Sequence, residues 1–93
     1  MTQYQRGVRF EYKVKREYEE RGCYVIRSAG SHGLFDLVAV DETGVEFIQC
    51  KYGCDINESE LQQLRVFAKE HPNISIVYAH GSPRQKTRYT VIT

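Results

Sequence analysis

The run Val45-Glu46-Phe47-Ile48-Gln49-Cys50-Lys51 alternates its side chains with a period of two. An extended strand would put Val45, Phe47, Gln49 and Lys51 on one face and Glu46, Ile48 and Cys50 on the other. Just upstream, Asp41-Glu42-Thr43-Gly44 reads as a tight turn. Before it, the apolar run from Leu34 to Val40 reads as a buried strand whose one charge is Asp36. Two such runs joined by a short turn predict a hairpin. A carboxylate inside an apolar run costs several kcal/mol, roughly, unless cations or hydrogen-bond donors meet it. Asp36 is therefore either well paired or present for chemistry. Hairpin pairing would bring Asp36, Gln49 and Lys51 to one end of a sheet. An acid on one strand beside a polar residue, a spacer and a lysine on the next suits phosphodiester cleavage. The acid holds a divalent metal and the lysine positions or activates water.

The rest of the chain supplies elements that could cover this hairpin. A helix is expected from about Gly7 to Arg21, stopped by Gly22, with Phe10, Val14 and Tyr18 as its buried stripe. Glu11 sits on the shoulder of that stripe, where a helix lying on a sheet can carry it towards Asp36, although an acid there is also an ordinary solvated or ion-paired residue. Cys23–Arg27 reads as a short strand. It is followed by the loop Ser28-Ala29-Gly30-Ser31-His32-Gly33, whose small residues allow close approach to a phosphate or simply make a turn. Ser31 and His32 are candidates to contact DNA or line the pocket. Beyond Lys51, Asn57 followed by Glu60 marks the start of a helix reaching about His71, with Leu61, Leu64, Phe67 and Ala68 inward. Strands are expected at Ile74–His80 and Arg88–Ile92. The order helix, three strands, helix, two strands predicts an α/β fold with a mixed sheet of about five strands and helices packed on it.

With 93 residues, 41% hydrophobic and 27% charged, the chain is expected to form one compact domain, residues 1–93. It has no long apolar run, so neither export nor membrane insertion is expected, and a cytoplasmic or nucleoid-associated location follows. Cys23, Cys50 and Cys54 lack CxxC pairing and read as buried free thiols rather than a zinc site. The net charge of +1 argues against a protein that coats nucleic acid. Its distribution carries more information. Residues 1–27 hold seven Lys/Arg and four acids, residues 28–73 three and eight, and residues 74–93 three and none. Basic flanks around an acidic middle suit a protein that grips a phosphate backbone and holds a metal at its centre, and they also suit plain surface solvation.

Arg6-Gly7 with Glu11 four residues after the glycine, then RSAGSHG, FDLVAV and IQCK, resembles the archaeal-type Holliday-junction resolvases. More broadly it resembles PD-(D/E)xK nucleases with the restriction-endonuclease-like core. The likeness implies a Mg²⁺-dependent endonuclease, with Mn²⁺ as the alternative ion, acting as a homodimer on branched DNA, with no membrane role and no small-molecule cofactor. It implies Glu11 and Asp36 as metal ligands, joined by Gln49 and the Cys50 carbonyl. Lys51 would orient the attacking water or stabilise developing charge, and Ser31 would act at the scissile phosphate. Arg6, Arg9, Arg27, Ser31 and His32 become DNA contacts.

Gln49 departs from the resolvase pattern, which has a glutamate there. The QxK form is similar to Mrr-type endonucleases of the same superfamily. Glu46 faces away, whereas Glu58 or Glu60 could return a carboxylate from the following helix. Three readings therefore stand: a junction-resolving endonuclease, an Mrr-like duplex nuclease, and a cleavage-deficient DNA-binding module of the same fold.

Overall fold

Thr2 opens the first helix. Its hydroxyl accepts the Gln5 N–H at 3.1 Å, and Gln5 Oε1 accepts the Thr2 N–H at 2.9 Å, a reciprocal capping box. In the computed structural model, which describes residues 1–28 and 33–93, α1 therefore spans Gln3–Glu20 and not the expected start at Gly7. The missed turn is exposed and polar, so it leaves no apolar periodicity to read. The other end agrees with expectation. Gly22 takes φ +95°, its N–H reaches the Glu19 carbonyl at 2.9 Å, and the Cys23 N–H reaches the Tyr18 carbonyl at 3.1 Å. That is a Schellman closure, which favours glycine because the backbone is left-handed there.

Then follow β1 (Tyr24–Arg27), β2 (Leu37–Asp41), β3 (Gly44–Tyr52), α2 (Glu58–Glu70), β4 (Ile74–Gly81) and β5 (Arg88–Ile92). They form one mixed five-stranded sheet in the order β1-β2-β3-β4-β5. The pair β3/β4 is parallel, with α2 in the connection, and the other neighbours are antiparallel. The expected α/β architecture is thus the observed one. Asp41 Oδ1 accepts the Thr43 N–H at 2.8 Å and sets the turn of the β2–β3 hairpin.

The alternation in β3 decides which layer each residue joins. Ile48 and Cys50 pack under α1 with Phe10, Val14, Tyr18, Leu37, Val77 and Ala79. On the opposite face, Phe47 joins Leu64, Phe67, Ile76, Tyr78 and Ile92 under α2. Both helical stripes expected from the sequence are the ones that face the sheet. At Gly81 the helix and sheet approach closely: a Cβ there would run into the Phe10 ring.

One expected strand is shorter than anticipated. Leu34 and Phe35 leave the sheet, and β2 begins only at Leu37. The Phe35 ring meets Phe47 and Phe67 edge-on, with centroids 5.1 and 4.9 Å apart. Aromatic burial against α2 wins over two more rungs of ladder. Asp36 therefore lies at the open end of β2, not within a strand. Its backbone stays anchored on both sides, because Asp36 N–H bonds the Ile48 carbonyl and its own carbonyl accepts Ser28 N–H, both at 2.9 Å.

All three cysteines are free, but only Cys50 is buried, and Cys54 is exposed. The expectation of buried thiols is thus corrected for Cys54, exposed in the loop after β3, and for Cys23, which is only half-buried before β1. Among the described residues, no helix is long and apolar enough to cross a membrane.

Candidate active site

Four elements meet at the end of the sheet where β3 finishes. Helix α1 brings Glu11, β1 ends in Arg27, the segment before β2 holds Asp36, and β3 contributes Gln49, Cys50 and Lys51. Arg27 Nε donates to Glu11 Oε1 at 2.9 Å, and both side chains are largely buried, 15% and 17% exposed. The Arg27 guanidinium also lies 4.8 Å from the centre of the Tyr12 ring. Asp36 Oδ2 accepts the Cys50 N–H at 2.8 Å, which ties the acid to the strand carrying the lysine. Lys51 Nζ pairs with Glu60 Oε2 at 3.0 Å, in the first turn of α2. Gln49 is buried, and its Oε1 has no hydrogen-bond partner among the described residues.

Burial, reinforced by the charge of Asp36, raises the pKa of Glu11 above the ordinary carboxylate range, and the hydrogen bond and charge of Arg27 oppose this. Burial likewise raises Asp36. The Cys50 N–H and the charges of Lys51 and Arg27 pull the other way, while Glu60 adds to the rise. The Cys50 thiol is pushed up by burial and then by the negative charges of Asp36 and Glu11. These effects tie Glu11, Asp36, Arg27, Lys51 and Glu60 into one electrostatic neighbourhood. Its carboxylates gain from any cation that joins them.

The donor set fits a hard divalent cation such as Mg²⁺. Glu11 and Asp36 offer carboxylate oxygens, and the unpartnered Gln49 Oε1 is a buried oxygen that lacks the donor such atoms normally find. The Cys50 thiol packs in the α1 core, which leaves its main chain as the part available to the site. Among the described residues, no cluster of three or more His, Cys, Asp or Glu side chains stands ready around one point. The carboxylate that α2 brings to the site, Glu60, is engaged by Lys51.

Several expected site residues are placed differently from their sequence-based roles. Lys51 is near enough to Asp36 to stabilise its charge, but its direct partner is Glu60. Arg27 stands on Glu11 and Tyr12, engagements that no spacing along the chain signals. Arg6 and Arg9 lie on the exposed face of α1 and line a cleft beside the site. Ser31 and His32 fall outside the described residues. Of the two glutamates opening α2, Glu58 is exposed and only 4.0 Å from Arg65, while Glu60 reaches back to the site. The Asn57 cap carried that signal: its Oδ1 accepts the Glu60 N–H at 2.8 Å and fixes where the first turn points.

A family model described as archaeal Holliday junction resolvase (Hjc) matches residues 2–85. The crossover junction endodeoxyribonuclease Hjc of Methanocaldococcus jannaschii is 37% identical over 70 residues, 71% of this chain and 52% of that protein. This chain thus spans about half the length of that curated relative. Among solved structures, Hjc of Archaeoglobus fulgidus, a Holliday junction resolvase, matches with a TM-score of 0.71 at 27% identity, over 89% of this chain and 73% of that one.

Proposed function

The chain belongs to the archaeal Holliday junction resolvase (Hjc) family, and on that premise we propose that it is a metal-dependent endodeoxyribonuclease that resolves four-way DNA junctions. The observation that supports the reading is that Glu11, Asp36 and Lys51, from three separate segments, lie near enough for Asp36 to act on Glu11 and Lys51 on Asp36, with Gln49 two residues before Lys51 on the same strand. In this reading residues 1–93 act as a single nuclease domain in the cytoplasm.

Glu11, Asp36, Gln49 Oε1 and the Cys50 carbonyl would hold Mg²⁺, with Mn²⁺ as the alternative. When bound, such an ion polarises a phosphoryl oxygen and lowers the pKa of water. The protein's own part is positioning. The Cys50 N–H fixes one oxygen of Asp36 and leaves the other for the ligand. Arg27 locks the Glu11 carboxylate and contributes positive charge beside the site. Glu60 holds the Lys51 ammonium at the end of β3, where it can orient the attacking water and stabilise charge developing on the phosphate. Arg6, Arg9, Arg27, Ser31 and His32 contact the DNA backbone in this scheme. Ser31 serves at the scissile phosphate. A small domain senses only part of a four-way junction, so two copies in a homodimer place their sites on either side of the branch point.

The neutral Gln49 favours a second reading, a DNA-binding module of this fold that has lost cleavage, and the QCK sequence keeps an Mrr-like duplex nuclease in view. Incubating the protein with labelled junction and linear duplex, in Mg²⁺ or EDTA, separates the three. Paired symmetric nicks confined to the junction in Mg²⁺ are expected. General cutting of duplex would point to the Mrr-like activity, and metal-independent binding without product to the module.

A further inference from the structure

A cleft of about 560 Å³ opens between α1 and the loop joining β4 to β5. Arg6, Arg9, Lys13 and Arg16 line it from the helix and Arg84 from the loop, and no carboxylate is among the described lining residues. The helical four follow a three- or four-residue spacing, so they form one stripe, on the flank of Phe10 opposite Glu11. None of the five cations is in an ion pair among the described residues, whereas Lys15, Arg27, Lys51 and Arg65 each have a carboxylate. Like charges at this spacing destabilise a helix, and a polyanion lying along them reverses that cost.

Two independent features mark the loop side. Arg84 adopts φ +64°, a left-handed conformation that side chains other than glycine rarely hold, and it does so where its charge joins the cleft. The Thr87 hydroxyl oxygen is buried beside the cleft with no hydrogen-bond partner among the described residues. The floor includes Tyr52, which follows Lys51 directly and pairs with Gly81. The cleft therefore opens at the same end of the sheet as the candidate active site, on the other flank of α1 from Glu11.

We propose that this cleft is a second phosphodiester site, which grips one strand of duplex DNA beyond the bond at the active site. A stripe from Arg6 to Arg16 runs about 15 Å along the helix axis, at ~1.5 Å per residue. Successive phosphates of one strand advance ~3.4 Å along the duplex axis and stand farther apart than that along the strand, so the stripe meets a few neighbouring phosphates, which suits a polymer backbone better than a free anion. The inference rests on the reading that the chain binds DNA and is independent of whether it cuts it.

The test measures binding in the Asp36→Asn background, in EDTA, by fluorescence anisotropy over a salt series. Labelled four-way junctions with long arms and with arms trimmed to the branch point serve as probes. Lys13 and Arg16 are both exposed, so Lys13→Gln with Arg16→Gln leaves the fold intact, checked by circular dichroism. On long arms the double variant binds on the order of tenfold more weakly at ~0.1 M salt, and its log-log salt slope is shallower by about 1.8, ~0.9 for each lost contact. On trimmed arms the loss disappears. Arg65→Gln with Lys69→Gln, an equal charge change on α2, leaves the slope as it was. An unchanged slope in the first variant, an equal loss in the second, or an equal loss on trimmed arms overturns the proposal. Failure of the wild type to cut junctions in Mg²⁺ would sink the nuclease reading and leave this one standing.

Discussion

Lys51 Nζ and Glu60 Oε2 stand 3.0 Å apart and join the end of β3 to the first turn of α2. The pair is partly buried, so its geometry is held more firmly than that of an exposed ion pair. A lysine swinging freely could not serve one point in space.

Lys51→Ala is therefore expected to slow single-turnover junction cleavage by on the order of 10²-fold, as loss of a charge aimed at the reacting phosphate does. Glu60→Gln, which loosens the lysine but leaves it in place, slows cleavage about tenfold with junction affinity unchanged. Combining the two is no worse than Lys51→Ala alone, the signature of residues acting through each other. A wild-type rate in Glu60→Gln would remove its positioning role.

Asp36 is kept protonated to higher pH than an ordinary carboxylate because burial outweighs its donors and nearby cations. Between its unfolded and folded pKa values the folded state binds more protons, so metal-free stability falls as pH rises through that window. Asp36→Asn keeps an oxygen for the Cys50 N–H and removes the penalty. Calorimetry without metal should show equal Tm values at a pH below the ordinary carboxylate range and a Tm a few degrees higher for the variant at neutral pH. Mg²⁺ should stabilise the wild type and leave the variant unmoved. A variant less stable than the wild type at neutral pH would contradict this balance.

Gln49→Glu puts a carboxylate on β3 where the chain has a neutral amide. Its buried oxygen has no donor to lose, so the change adds charge without breaking a hydrogen bond made by that oxygen among the described residues. Mg²⁺ affinity by titration calorimetry is expected to rise, cleavage at low Mg²⁺ to hold or increase, and metal-free Tm to fall because a third negative charge crowds Glu11 and Asp36. A tenfold loss of cleavage with weaker Mg²⁺ binding would show that Gln49 faces no ion.

Gly81→Ala tests the contact that seats α1. The added methyl runs into the buried Phe10 ring, which must shift to admit it, and the expected destabilisation is about 1–3 kcal/mol. Chemical denaturation reads it directly, and a neutral result would mean that helix and sheet are less tightly joined than their packing indicates.

What could be read from the sequence was whatever burial imposes periodically. Phe10, Val14 and Tyr18 on α1, and the two faces of β3, follow from spacing alone. The start of α1 did not, because its first turn is exposed and depends on a single cap at Thr2. Leu34 and Phe35 read as strand because an apolar run looks the same whether it extends a ladder or drops an aromatic ring onto a helix. At the candidate site, Glu11, Asp36, Gln49 and Lys51 stood out as candidates from residue type and spacing, but their immediate partners did not. A carboxylate returning from the capped start of α2 could be anticipated, but that Glu60 would take Lys51 as its partner, and Arg27 would take Glu11, depends on how α1 and α2 sit on the sheet.

The turn held by Asp41 and Thr43 lies at the far end of β3 from the chemistry, yet it counts the residues from which every side chain on that strand takes its direction. Lengthening it by one amino acid would roll the strand over, send the Gln49 amide and the Lys51 amine under α1, and turn Ile48 and Cys50 out. An insertion in this bend should thus abolish the proposed cleavage from the end of β3 remote from Lys51.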